Sequence, residues 1–153
     1  MTRLIQWTGR PRGQVLIEMA FVLPILVLFV FSVVDFGRAL DRRMALQHAV
    51  REGARLGAVT DGSAAIVDTT VAQSQGLLAP GDVTVCYRDA DGNGNAGDAG
   101  DSVRVNADFT YEFTVALTEV FNAFGASLPT GISMTPSADM RLENAVAGGA
   151  ACS

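Results

Sequence analysis

Between Gln14 and Val34 the chain holds 21 residues and a single charge, Glu18. Leu16, Ile17, Phe21, Val22, Leu23, every position of 25–31, and Val33 and Val34 are apolar, and no polar face is left. A helix on the surface of a soluble protein keeps such a face. At 1.5 Å per residue the stretch covers about 31 Å, enough for a hydrocarbon core of roughly 30 Å. It is expected to be a membrane-spanning helix. The remainder of a 153-residue chain then has room for one domain of ordinary size and not for two cores.

A secretory signal also places an apolar run behind a basic leader, and residues 1–13 carry Arg3, Arg10 and Arg12 without an acid. The run is longer than the roughly 7–15 residues of a signal's apolar region, however. It closes on Asp35-Phe36-Gly37-Arg38 and not on the small residues of a cleavage site. Orientation is less direct. Arg38, Arg42, Arg43, Arg51 and Arg55 follow the span, so a simple count favours a cytoplasmic C-terminal side. Long trailing domains cross largely regardless of charge, and Asp35, Asp41 and Glu52 are interleaved with those arginines. The expected topology is single-pass, with the N-terminus cytoplasmic and the C-terminal domain exported. A formal net charge of -5 argues against a nucleic-acid partner, which normally meets a clustered basic face. All 11 basic residues are arginine; beside so much Ala, Gly and Val, that is a compositional bias and not a set of phosphate ligands.

An acid at mid-membrane costs about 2.5–3.5 kcal/mol, less near an interface, so Glu18 needs a reason. One reason is bland: the carboxylate sits in the headgroup layer at the start of the helix. The other comes from its setting, Arg12-Gly13-Gln14-Val15-Leu16-Ile17-Glu18, which resembles the processing site of type IV pilin-like proteins. That resemblance implies cleavage after Gly13 by a membrane aspartyl prepilin peptidase, a mature chain starting at Gln14, and a new ammonium that lies near the Glu18 of a neighbouring subunit. In lipid, such a pair cancels two charges that nothing else would solvate. Further blocks follow: Val22-Leu23-Pro24-Ile25-Leu26, Val34-Asp35-Phe36-Gly37-Arg38-Ala39, Ala45-Leu46-Gln47 and Ala49-Val50-Arg51-Glu52-Gly53-Ala54-Arg55. Together, residues 12–58 look like the N-terminal region of the TadE-like family, minor pseudopilins of tight-adherence (Flp) pilus systems. Ala138-Asp139-Met140-Arg141-Leu142-Glu143 is similar to the strand that ends many such proteins, whereas residues 60–135 carry no family motif. Met19 departs from the aromatic that usually follows the Glu in Flp-type prepilins.

The resemblance implies an inner-membrane protein whose partners are the prepilin peptidase, other pilins and pseudopilins, the inner-membrane pilus assembly platform and lipid. Whether it enters the filament or stays at its base is left open. The alternative function is an unprocessed, membrane-anchored exported binding module.

The organisation expected along the chain is a leader at 1–13, a transmembrane helix at 14–34, an amphipathic extension at 35–59 and an exported α+β domain at 60–153. In the extension, Phe36, Leu40, Met44, Gln47, Val50 (or Arg51), Ala54 and Ala58 follow three- and four-residue steps. They are expected to face the domain, with Arg38, Asp41, Arg42, Arg51 and Glu52 opposite. A second helix is expected over 64–78, stopped by Ala79-Pro80-Gly81-Asp82. Strands follow at 83–87 and at 102–115, where Val103, Val105, Ala107, Phe109, Tyr111 and Phe113 alternate along one face. A short helix or turn at 116–125 and a final strand pair at 132–135 and 138–143 complete a pilin-like fold: a long N-terminal helix packed on a small antiparallel sheet.

Between the first two strands, Asp89, Asp91 and Asn93 with Gly94 match the first half of an EF-hand calcium loop. Its twelfth place holds Gly100 in place of a bidentate Glu. Asp98 and Asp101 are near enough to complete a looser hard-cation site. A plain hairpin loop uses the same residues. Cys86 and Cys152 are the only cysteines. In an oxidising compartment they can bridge, closing a loop of roughly 65 residues and contributing around 4 kcal/mol if unstrained; otherwise they are two separate thiols. His48 is the lone histidine, on the amphipathic helix, with no nucleophile motif around it. No phosphate loop or metal-ligand spacing of catalytic type is present, and the chain is expected not to be an enzyme.

Overall fold

The computed structural model describes residues 11–113, 122, 125, 131–146 and 149–152. Most of the leader, and all of the expected helix or turn at 116–125 except residues 122 and 125, lie outside them. One helix, α1, runs from Pro11 to Gly57 over 47 residues with Pro24 inside it. The second helix, α2, spans Ser63–Gln73 and folds back on the end of α1. It stops five residues short of the expected end. The Ser74 hydroxyl donates to the Val71 carbonyl and accepts the Leu78 amide, and Gln75 and Gly76 turn left-handed at φ 57° and 79°. A single 3₁₀ turn, Pro80–Asp82, then leads into the sheet.

Among the described residues five strands follow: β1 Val83–Arg88, β2 Ser102–Ala107, β3 Phe109–Glu112, β4 Gly131–Met134 and β5 Ser137–Arg141. They form an antiparallel sheet in the order β1-β2-β5 and a two-stranded sheet β3-β4. The molecule is therefore α+β, a long N-terminal apolar helix with a small antiparallel sheet. Two expectations need correction. Residues 102–113 are not one strand, and the two C-terminal strands do not pair with each other: β5 pairs with β2, and β4 with β3. The cause lies at Pro136, which has no N–H to give to a ladder. Its carbonyl accepts the Ala107 amide, and the next amide, that of Asp108, turns to the Asp82 carbonyl. The result is one long ribbon, β2–β3 against β4–β5, bent at that point. The alternation of Val103, Val105, Ala107 and Tyr111 survives the bend, and all four are buried.

Leu46, Val50 and Ala54 of α1 meet Ile66 of α2, Leu78, and Val83, Tyr87, Val103, Val105 and Ala107 of the sheet in one core. Each fully buried Leu, Ile or Val there contributes about 1.5–3 kcal/mol. Gly53 and Gly57 let the elements close: a methyl group on Gly53 would land on the Thr70 hydroxyl, and one on Gly57 would sit 2.9 Å from Ile66 Cδ1 and 3.1 Å from Val103.

The buried stripe of α1 agrees with the expected one only at its upper end, at Val50 and Ala54. Lower down it is rotated by one residue, to Asp35 and Ala39, and Phe36, Leu40 and Met44 face outward.

Candidate functional site

Three features are candidates: the apolar lower half of α1, the loop between β1 and β2, and the groove where α1 meets β3 and β4. Gly13, Gln14 and Glu18 all lie on exposed surface of α1, and nothing approaches within 4 Å of where a Gly13 Cβ would be. Glu18 is about 1.4 turns above Gly13, about 7.5 Å along the axis. The apolar window of this helix has a mean hydropathy of 2.6 and none of it is buried within the molecule. The helix is long and apolar enough to cross a membrane, which suggests an N-terminal membrane anchor. Its whole circumference is free to meet lipid or other helices.

The loop is organised by Asp101, which is 1% exposed. One carboxylate oxygen accepts the Ala90 amide at 2.8 Å, and the other accepts the amides of Gly97 and Asp98 at 2.9 and 3.0 Å. These bonds, that of Ala90 first, hold its pKa below the usual carboxylate range, against the opposing effects of burial and of the Asp89 charge. Asp89 is likewise held down by the amides of Gly94 and Gly92, at 2.7 and 2.6 Å. Gly94 and Gly97 sit at φ 89° and 104°, where a side chain would be strained.

Of the four residues expected to bind a cation, Asp89 and Asp91 come together with Asp101, their oxygens all within 4.8 Å of one another. The Asn93 side-chain amide donates to Asp91 and, at 3.3 Å, to Asp98, and this joins the Asp98 carboxylate to the group through Asn93. The three carboxylates are suited to a hard cation by chemistry. Backbone donors already occupy much of their capacity, and a cation would have to displace some of them.

The C-terminal tail is tied to the far edge of β1. Cys152 is joined to Cys86, the Tyr87 amide donates to the Ala150 carbonyl, and the Cys152 amide donates to the Tyr87 carbonyl. Gly149 lies so close on the Tyr87 ring that a Cβ there would overlap it. On the outer face of the sheet Arg104 grips Asp139 through two bonds of 2.7 Å, with Arg88 3.9 Å away. Such an exposed pair contributes at most about 1 kcal/mol. His48 is exposed on α1, and both cysteines are consumed by the disulfide.

In the groove, Asp35 is 2% exposed and in hydrogen-bonding contact with the Tyr111 hydroxyl. Burial and then the Asp35 charge push the Tyr111 pKa up, opposed by Arg38 and Arg42. The cavity beside this contact has a volume of about 800 Å³ and runs along α1 from Ser32 to Gln47. The one-residue rotation of the buried stripe, which pattern reading missed, is what brings Asp35 to Tyr111. The only sequence signal for it was an acid directly after the apolar span.

Residues 13–55 match the sequence model of the family described as TadE-like protein. This is the family whose blocks were recognised along the helix. The match lies within α1 and stops before α2 and the sheet. No curated protein and no solved structure matches the chain.

Proposed function

Starting from a chain whose residues 13–55 are TadE-like, we propose that it is a minor pseudopilin of a Flp-type pilus or a related secretion machine. A prepilin peptidase removes residues 1–13. Residues 14–34 then hold the protein in the inner membrane, 35–59 carry the helix out, and 60–153 form the exported domain. The observation that carries this reading is that family likeness and exposed helix coincide. The family match lies on α1, and among the described residues the apolar window of α1 is left unburied. Its mechanism is packing: the apolar helix leaves lipid for a bundle with other pilins and pseudopilins, and Glu18 pairs with the terminal amine of a neighbour.

The test is Glu18→Ala in a piliated strain. The variant inserts and is cleaved, but pilus assembly fails, because removing one member of a buried pair typically costs about 3–5 kcal/mol through the charge left behind. Normal piliation would make Glu18 a bystander and favour the alternative, an unprocessed anchored binding module using the loop of Asp89, Asp91 and Asp101 for calcium. That alternative has three gathered carboxylates behind it but assigns Glu18 no task.

A further inference from the structure

The outward face of α1 stays apolar where its charges begin. Phe36, Leu40 and Met44 stand at four-residue steps and are 66%, 43% and 66% exposed, among Arg38, Asp41, Arg42 and Arg43. Across the groove Ile132 is 47% exposed. Apolar side chains grouped like this do not usually face bulk water without a reason.

Their depth supplies the reason. The bent ribbon descends along α1: Val103 packs at Gly57, Tyr111 reaches Asp35, and Phe113 lines the same cavity as Ser32. Ser32 belongs to the apolar span 14–34. Beyond the hydrocarbon, a bilayer has an interfacial layer of roughly 5–7 Å on each side. At 1.5 Å per residue that is about three to five helical positions, or residues 35–39. The lower ends of β3 and β4 therefore stand level with the outer headgroups. The acid in this layer, Asp35, is turned inward onto Tyr111, whereas Arg38 and Arg43 are exposed and Arg42 partly so. Helical side chains lean toward the N-terminus, here toward the bilayer, and arginine lays its stem on apolar surface while its head finds phosphate.

We infer that the lower end of the helix–ribbon groove is a lipid-docking surface. Phe36, Phe113 and Ile132 enter the outer interfacial layer, Arg38, Arg42 and Arg43 hold lipid phosphates, and the exported domain lies on the membrane and does not stand off from it. This rests on reading α1 as the membrane span, and the experiment separates the two.

Trp7 is the only tryptophan, so a Trp7→Phe background of the full chain reports from one introduced position at a time. The protein is reconstituted in phosphatidylcholine–phosphatidylglycerol vesicles, with and without lipid brominated along the acyl chain. Leu26→Trp reports the span, Val59→Trp the far end of the domain, and Phe36→Trp and Ile132→Trp the docking surface. All of these side chains are exposed in the free molecule, so tryptophan disturbs no core. Brominated lipid is expected to remove emission at Leu26, Phe36 and Ile132 and to leave Val59 unchanged. Quenching at Leu26 with intact, water-like emission at Phe36 or Ile132 overturns the docking surface and spares the span. Blue-shifted but unquenched emission at either position overturns it equally, since a protein segment, such as a second copy's helix, then fills the groove. Loss of quenching at Leu26 removes the span itself, and the inference with it.

Discussion

Replacing Gly53 with alanine adds one methyl group where α1 packs on Thr70 of α2. The new carbon would overlap the Thr70 hydroxyl oxygen and lie 3.3 Å from Thr70 Cβ. Thr70 is fully buried and spends its hydroxyl on the Ile66 carbonyl at 2.8 Å. Either the helices separate, an overpacking strain of about 1–3 kcal/mol, or the threonine rotates and leaves a buried hydroxyl unpaired, about 1–3 kcal/mol. Alanine's better helix propensity offsets roughly 0.8–1 kcal/mol. The net expectation is a loss of about 1 kcal/mol, or about 4–8 °C in the unfolding midpoint of a domain this small. Thermal unfolding of the full chain in detergent, followed by near-ultraviolet circular dichroism, reads it. Adding Thr70→Ala should recover most of the loss, a coupling that two distant sites would not show. A Gly53→Ala variant as stable as the parent, or more so, would refute the close approach of the helices.

Two further outcomes concern the α+β part. Cys152→Ser opens a crosslink spanning 66 residues, so the domain should lose around 4 kcal/mol and be depleted by proteolysis in cells while still inserting; unchanged stability against denaturant would count against the bridge. The Asp101 pKa is depressed on folding, so its stabilisation is complete above the unfolded carboxylate value of about 3.9 and is lost as pH falls through the folded value. The amides of Ala90, Gly97 and Asp98 should thus keep their hydrogen-exchange protection down to about pH 4 and lose it progressively as pH falls further, through the lower folded value, whereas Asp101→Asn should weaken it with little dependence on pH.

What the sequence discloses depends on how local the physics is. The apolar span is legible because lipid acts on every side of it at once. The alternation of Val103, Val105 and Ala107 is legible because one face of a strand meets one core. The rotated stripe on α1 is not, since Phe36, Leu40 and Met44 make the better hydrophobic pattern. Asp35 is buried in their place, beside Tyr111, 76 positions later in the chain. The break after Ala107 likewise depends on Pro136 in the opposing strand, outside any local window. In the loop, Asp89 and Asp91, singled out by residue type as cation ligands, stand together with Asp101. Asp101 became the hub and Asp98 did not, because the chain turns at Gly97 and Gly100 and folds its amides onto the later carboxylate.

Cleavage tests the central claim most directly, because a simple anchor has no use for it. Intact-mass and N-terminal analysis of the chain from membranes of peptidase-positive and peptidase-negative cells should give a mature form beginning at Gln14 in the first and the full chain in the second. Met1 retained in peptidase-positive cells would contradict the pseudopilin reading.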